Sequence, residues 1–184
     1  MWMSEKCSSF MRGLYHGKMW AVFKDRISKI KNLLINKKID AVLVSSVSNI
    51  TYLTGYENFS PKEREAYIFI GENFQYIITD GRYAEAIKRE VPHLKLFERG
   101  HENPKEKLLK ELKDKIQVLG IEEDNLTVAE HQILVKHFKN LKHFSLSRAV
   151  KEKQDLEKIE KAAKLGDLAF DYILKNIKEG ITEE

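Results

Sequence analysis

Between Phe23 and Phe144 the chain repeatedly exchanges a helical hydrophobic period for short unbroken apolar runs, and few folds accommodate that exchange. Phe23, Ile27, Ile30, Leu33 and Leu34 recur every three or four residues, the spacing of one helix face. Asn36 is a stop signal. Asp40 then leads into Ala41-Val42-Leu43-Val44, a β-branched run that reads as a buried strand. A helix feeding such a strand begins an α/β pattern. Ser48 or Asn49 is placed to cap a short helix that Gly55 ends in the left-handed conformation, and Glu57 to Glu65, with Pro61, is a loop. Ala66 to Ile70 and Gln75 to Thr79 read as strands. They are joined by Gly71-Glu72-Asn73-Phe74, a hairpin signal that makes the sheet mixed rather than all parallel.

The alternation continues beyond the hairpin. Asp80 to Glu90 is a helix capped by Asp80 and closed before Pro92, and Leu94 to Phe97 is a strand. Asn103 and Pro104 open a further helix whose apolar face is Leu108, Leu109, Leu112 and Ile116. Val118 to Ile121 reads as a strand, Thr127 to Phe138 as a helix, and Phe144 to Leu146 as a last short strand. Residues 23–150 are therefore expected to form an α/β three-layer sandwich around a mixed sheet with a central hairpin. Residues 1–22 have no sustained period and read as an N-terminal tail. Lys151 to Lys178 is the longest helical pattern. Its stripe is Leu156, Ile159, Ala163, Gly166, Phe170, Ile173 and Ile177, with Gly180 as the C-cap signal. Such a stripe needs a partner surface.

Composition narrows the function classes. The 32 Lys and Arg against 28 Asp and Glu leave a net charge of +4, and acids and bases are interleaved, as in Lys105-Glu106-Lys107. That is a solvated surface and argues against a nucleic-acid partner. No apolar run approaches the roughly 18 residues that span a bilayer, and the first 22 residues lack the apolar core of a secretory signal. Cys7 is the only cysteine and can form no internal disulfide. A cytoplasmic protein that makes no membrane contact is the expectation.

Three separated segments carry a family resemblance. Asn49-Ile50-Thr51-Tyr52-Leu53-Thr54-Gly55-Tyr56 resembles a segment of creatinase/prolidase N-terminal domains, and Thr79-Asp80-Gly81-Arg82-Tyr83 resembles the motif that follows their hairpin. Arg148-Ala149-Val150-Lys151, continued by Asp155 to Ile159, is similar to the junction into the catalytic domain of Xaa-Pro aminopeptidases and dipeptidases. Gly180-Ile181-Thr182-Glu183 is similar to the end of that domain's first helix. The resemblance implies a ribonuclease H-like N-terminal domain, with residues 151–184 as the first helix of a catalytic "pita-bread" domain. In the family that second domain holds two divalent metals (manganese, cobalt or zinc) on two Asp, one His and two Glu. The metals activate water to cleave the bond before proline. No such ligand is expected in this chain, so no cofactor is assigned to it, and peptide hydrolysis would need the second domain. The implied role is dimerisation and substrate gating. The alternatives are a stand-alone interaction module, pairing with a full-length relative or a separate catalytic chain, and a fragment without function.

Individual residues divide accordingly. His131 and His137, six positions apart, point roughly 120° away from each other on a helix and do not make a ligand pair. Asp80, Arg82 and Tyr83 read as a cap and ties to the sheet rather than as catalytic groups. Asn49, Tyr52 and Gly55 read as a cap, a packing aromatic and a left-handed position, and Arg148 and Lys151 as junction residues. Tyr56, Phe59 and Arg64 are the substrate-gating candidates, because they lie on a polar connection between rigid elements. The alternative is solvated loop side chains without a role.

Overall fold

The computed structural model describes residues 3–99, 109–112, 114–178 and 180, with side chains from residue 20 onward apart from those of 98 and 99. It divides into two compact units, Met1–Leu146 and Ser147–Glu184. In the first, the described elements are α1 (Met3–Lys37), β1 (Ala41–Val44), α2 (Val47–Thr54), β2 (Ala66–Gly71), β3 (Gln75–Asp80), α3 (Gly81–Glu90), β4 (Lys95–Arg99), β5 (Val118–Ile121), α4 (Val128–His137) and β6 (Asn140–His143). Residues 109–112 are also helical. The expected helix start at Asn103 and Pro104, and Leu108 on its face, lie outside the described residues.

The six strands form one sheet in the order β4-β3-β2-β1-β5-β6. β2 runs antiparallel to β1 and β3, while β3 with β4, β1 with β5, and β5 with β6 are parallel. The hairpin expected from Gly71 to Phe74 thus reverses a single strand inside an otherwise parallel sheet. Side-chain alternation along the strands builds two cores. Val42, Val44, Ile68, Ile70 and Ile77 face Ile27, Ile30 and Leu34 of α1, Ile50 and Leu53 of α2, and Ile87 of α3. Ala41, Leu43, Tyr67, Phe69, Ile78, Leu119 and Ile121 meet Leu109, Leu112, Leu134 and Phe138 on the opposite face. Helices cover both faces of a mixed sheet, which is the three-layer α/β sandwich the sequence predicts. Each fully buried Leu, Ile or Phe contributes about 1.5–3 kcal/mol, so the two faces are the main source of stability.

Three details depart from the sequence expectation. Residues 3–22, read as part of a tail, belong to α1, which at 35 residues is the longest described helix. The last strand is Asn140–His143 rather than Phe144 to Leu146. This edge strand exposes Asn140, Lys142 and His143 and has only Leu141 half-buried, so it lacks an apolar signature. Phe144 is the next residue. Its N–H donates to the Ile121 carbonyl at 2.8 Å while its ring enters the first core. The long C-terminal helix, α5, spans Lys153–Asn176 and ends on extended Ile177; Gly180 has a positive φ of 87° but lies past the helix end. No residue of α5 is buried. Among the described residues, no helix is long and apolar enough to cross a membrane.

Candidate functional site

In open α/β sheets the carboxyl ends of parallel strands are where side chains converge. Here that edge gathers Ser45 and Ser46 after β1, Glu122 after β5, Asp80 at the end of β3, and the connection between α2 and β2. Glu122 is 6% exposed, and its carboxylate is used up by four donors. One oxygen accepts from the Ser45 N–H at 2.6 Å, the Ser46 N–H at 2.7 Å and the Ser45 hydroxyl at 3.1 Å. The other accepts from Asn49 Nδ2 at 2.5 Å. The N-cap of α2 is Ser46, whose own side chain makes no capping bond. Neither Ser48 nor Asn49 is the cap, as the sequence reading had them. Both lie inside the first turn, and the Ser45 and Ser46 amides that lead into the helix, with the Asn49 side chain, are held by a carboxylate that follows β5.

Gly55 ends α2 as expected, with φ 73° and its N–H donating to the Thr51 carbonyl at 2.8 Å. A Cβ there would also run into the Phe23 ring. Tyr52 packs as expected. The Arg26 guanidinium lies 4.0 Å above its ring centroid and donates to its carbonyl at 2.8 Å.

The α2–β2 connection is anchored from inside. Tyr56 and Phe59 are 5% and 4% exposed, so they are core aromatics and not solvated loop side chains. Their rings meet edge-on at 4.8 Å, and Phe59 meets Tyr83 of α3 at 5.0 Å. Arg64 is held on all sides. It donates to the Ser45 carbonyl, to the side chain of Asn125 at 2.6 Å, to the Asn125 carbonyl, and to Glu130 at 3.0 Å. Glu130 also accepts from the Tyr67 hydroxyl and, as part of the capping box of α4, from the Thr127 N–H at 2.8 Å. Burial opposes ionisation of Glu130. The bonds from Tyr67 and Thr127 and the Arg64 charge together outweigh it and hold the carboxyl below its ordinary value.

Glu65 is the second anchor. It is buried, and its carboxylate accepts from the Tyr83 hydroxyl and from the Ser60 N–H at 2.6 Å. Those two bonds, Tyr83 first, outweigh burial and keep Glu65 below the usual carboxylate range. The same bond pushes the Tyr83 phenol up to about 12. Asp80 caps α3 by accepting from the Arg82 N–H at 3.0 Å and forms a forked pair with the Arg82 guanidinium at 3.1 and 2.9 Å. Arg82 is 65% exposed and lies 3.6 Å from Glu65, so its tie to the sheet is a surface contact. Beyond Gly55, the residues left exposed on the connection are Glu57, Asn58, Pro61, Lys62 and Glu63.

In the second unit, the Lys151 ammonium donates to the Arg148 carbonyl and, at 3.4 Å, to the Ala149 carbonyl, so the junction motif closes a local turn. Among the described residues, no three or more His, Cys, Asp or Glu side chains are grouped to hold a metal ion. The described residues therefore do not supply the donor set of a two-metal centre.

This fold is that of the N-terminal halves of proline-directed exopeptidases. It superposes on the Xaa-Pro dipeptidase of Bacillus anthracis with a TM-score of 0.74 at 21% identity, over 88% of this chain and 45% of that one. For the X-Pro aminopeptidase of Thermotoga maritima the TM-score is 0.65 at 26% identity, over 79% and 43%. A Bacillus subtilis relative described as an uncharacterized peptidase is 25% identical over 169 residues, 86% of this chain and 45% of the relative. The Creatinase/Prolidase N-terminal domain family matches residues 26–153, and the chain belongs to that family. It spans a little under half the length of the curated relatives it matches.

Glu65, Glu122 and Glu130 are the polar anchors that sequence reading missed. Glu122 had one available signal: it directly follows the apolar run Val118 to Ile121, at the carboxyl end of a strand.

Proposed function

We propose that this domain serves a proline-directed metallo-exopeptidase as its non-catalytic half. In this reading the connection between α2 and β2 limits how much peptide reaches an active site across a dimer interface. The carrying observation is the construction of that connection. Five exposed residues from Glu57 to Glu63 ride on Tyr56, Phe59, Arg64 and Glu65, each packed or hydrogen-bonded from within. A segment held at both ends keeps its shape when a peptide presses on it, as a steric limit requires. Tyr56, Phe59 and Arg64 then gate indirectly, by positioning. The exposed Asn58, Pro61 and Lys62 meet substrate. The two divalent metals and the residues that bind them belong to the other half.

The test assays the chain alone, and paired with the catalytic half of the Bacillus subtilis relative, on Ala-Pro and on longer peptides with proline second, with manganese or cobalt. Alone it turns over neither substrate. In the pair, replacing residues 57–63 by a short Gly-Ser link raises kcat/KM for long peptides relative to Ala-Pro. Hydrolysis by the chain alone, or an unchanged length preference in the pair, overturns the reading.

The stand-alone interaction module keeps one observation in its favour, the absence of any buried residue on α5. Both readings require that helix to find a cover.

A further inference from the structure

We propose that the start of α4 sets how long a peptide the α2–β2 connection admits, with Glu130 and Asn125 as the positioning residues that hold Arg64. The inference rests on the reading of that connection as a gate.

The two ends of the connection are anchored in different layers. Tyr56 and Phe59, at its start, belong to the core that faces α1, α2 and α3. Arg64, which follows the last exposed residue, lies 5.6 Å from the ring centroid of Tyr67, a member of the opposite core. Its guanidinium makes five hydrogen bonds to acceptors from three separate stretches of chain. Those are the Ser45 carbonyl after β1, the side chain and carbonyl of Asn125, and the carboxylate of Glu130 in the first turn of α4. Asn125 is itself fixed, since its N–H donates to the Glu122 carbonyl at 3.0 Å.

The arrangement fixes a direction more than it adds stability. The Arg64 and Glu130 side chains are 26% and 12% exposed, so both are partly desolvated. A pair of this kind gives little net stability over a well-packed apolar substitute, whereas the planar fork of arginine specifies one orientation. A lysine, with three donors on a single atom, could not span the same acceptors. The carboxyl end of the connection is therefore as rigid as the start of α4 makes it.

Glu130 has two tasks that can be separated. One oxygen accepts from the Thr127 N–H at 2.8 Å and hydroxyl at 3.0 Å, which closes the capping box. The other accepts from Arg64 Nε at 3.0 Å and from the Tyr67 hydroxyl. Glutamine serves a capping box as glutamate does. Its amide group, however, would turn a donor toward Arg64. Glu130→Gln thus keeps the cap and releases the arginine.

Two measurements test this together: backbone order parameters of the full chain, and peptide assays of the chain paired with the catalytic half of the Bacillus subtilis relative. In Glu130→Gln, order parameters at residues 61–64 fall from about 0.85, the rigid value, to below about 0.6, while those of the strands hold. In the pair, the same variant lowers KM for long peptides about threefold and leaves kcat and the Ala-Pro constants unchanged. A Glu130 that only stabilised the fold would lower the unfolding temperature without moving that KM ratio. Asn125→Ala leaves the α4 cap untouched and carries the same two readings should Glu130→Gln not fold. Asn125→Asp keeps the acceptor and restores the wild-type values. Order parameters unchanged at 61–64 in both releasing variants overturn the proposal. So does an unchanged length preference in a variant whose segment has loosened, when the Gly-Ser link still shifts that preference. If the link shifts nothing, the gate reading itself has failed and takes this inference with it.

Discussion

His93 is 7% exposed, its ring stacked on Phe23 at 5.6 Å and its Nε2 3.0 Å from the Leu53 carbonyl. A carbonyl only accepts, so Nε2 carries the proton and Nδ1 is a buried acceptor with no partner. Protonating Nδ1 would place a charge and an unmatched donor in the core. Burial therefore pushes the pKa below its ordinary 6.5; the Leu53 bond opposes this shift and the nearby Lys24 charge adds to it. The unfolded chain takes up the proton near 6.5 and the folded one does not. The stability from this residue is thus complete above the ordinary value and is lost as pH falls below it. Urea midpoints are expected to drop as pH falls through that value, and His93→Gln, which keeps a donor for Leu53, should flatten the drop. A drop of equal size in the variant places the titration elsewhere. At this scale the sequence was partly legible. The Asp80 cap and the Gly55 turn are local chemistry and read correctly. The burial of Tyr56 and Phe59 depends on Tyr83, which approaches only after the sheet has formed, so a polar local context hid it. Arg82, read as a tie between helix and sheet, makes that tie while exposed, so Arg82→Ala should shift stability less than loss of Glu65 does.

Among the elements, α2 depends most on a residue outside itself. Its entry, through the Ser45 and Ser46 amides and the Asn49 side chain, is tied to Glu122, more than seventy positions away, so helix formation there is coupled to the pairing of β1 with β5. Removing the carboxylate orphans the Ser45 and Ser46 amides and Asn49 Nδ2. At about 1–3 kcal/mol for each buried unpaired donor, Glu122→Ala is expected to cost about 3 kcal/mol or more. Glu122→Gln keeps an acceptor and should cost less. Chemical denaturation of both variants measures this, and near-wild-type stability of Glu122→Ala would show that water replaces the carboxylate. The same coupling explains what the sequence reading of elements missed. Continuous apolar runs made β1, β2 and β5 visible, and Gly71 to Phe74 marked the hairpin. β6 carries one half-buried apolar residue, so the strong signal next to it, Phe144, drew the strand assignment past its true end. Asn49 looked like a cap because its true partner, Glu122, leaves no local signature.

For the whole molecule, the open question is what covers α5. Leu156, Ile159, Phe170, Ile173 and Ile177 are 52–64% exposed, along one side of a helix with no buried residue. Exposed apolar stripes of this extent mark an interface or an aggregation liability. Each Leu, Ile or Phe that becomes buried contributes about 1.5–3 kcal/mol, a strong drive toward any complementary surface. In the proposed exopeptidase the complement is the catalytic half. For the chain by itself, a second copy offers the same stripe across a two-fold axis, which a self-complementary face allows. Light scattering of the full chain is therefore expected to show a mass that rises with concentration above that of one chain. Phe170→Glu with Ile173→Glu, placing like charges on the shared face, should return it to a monomer. The sandwich core, built from residues of Met1–Leu146, should keep its unfolding transition in that variant. A full chain that stays monomeric at every concentration, with α5 amides strongly protected from hydrogen exchange, would mean the stripe is already covered and that no second copy is needed.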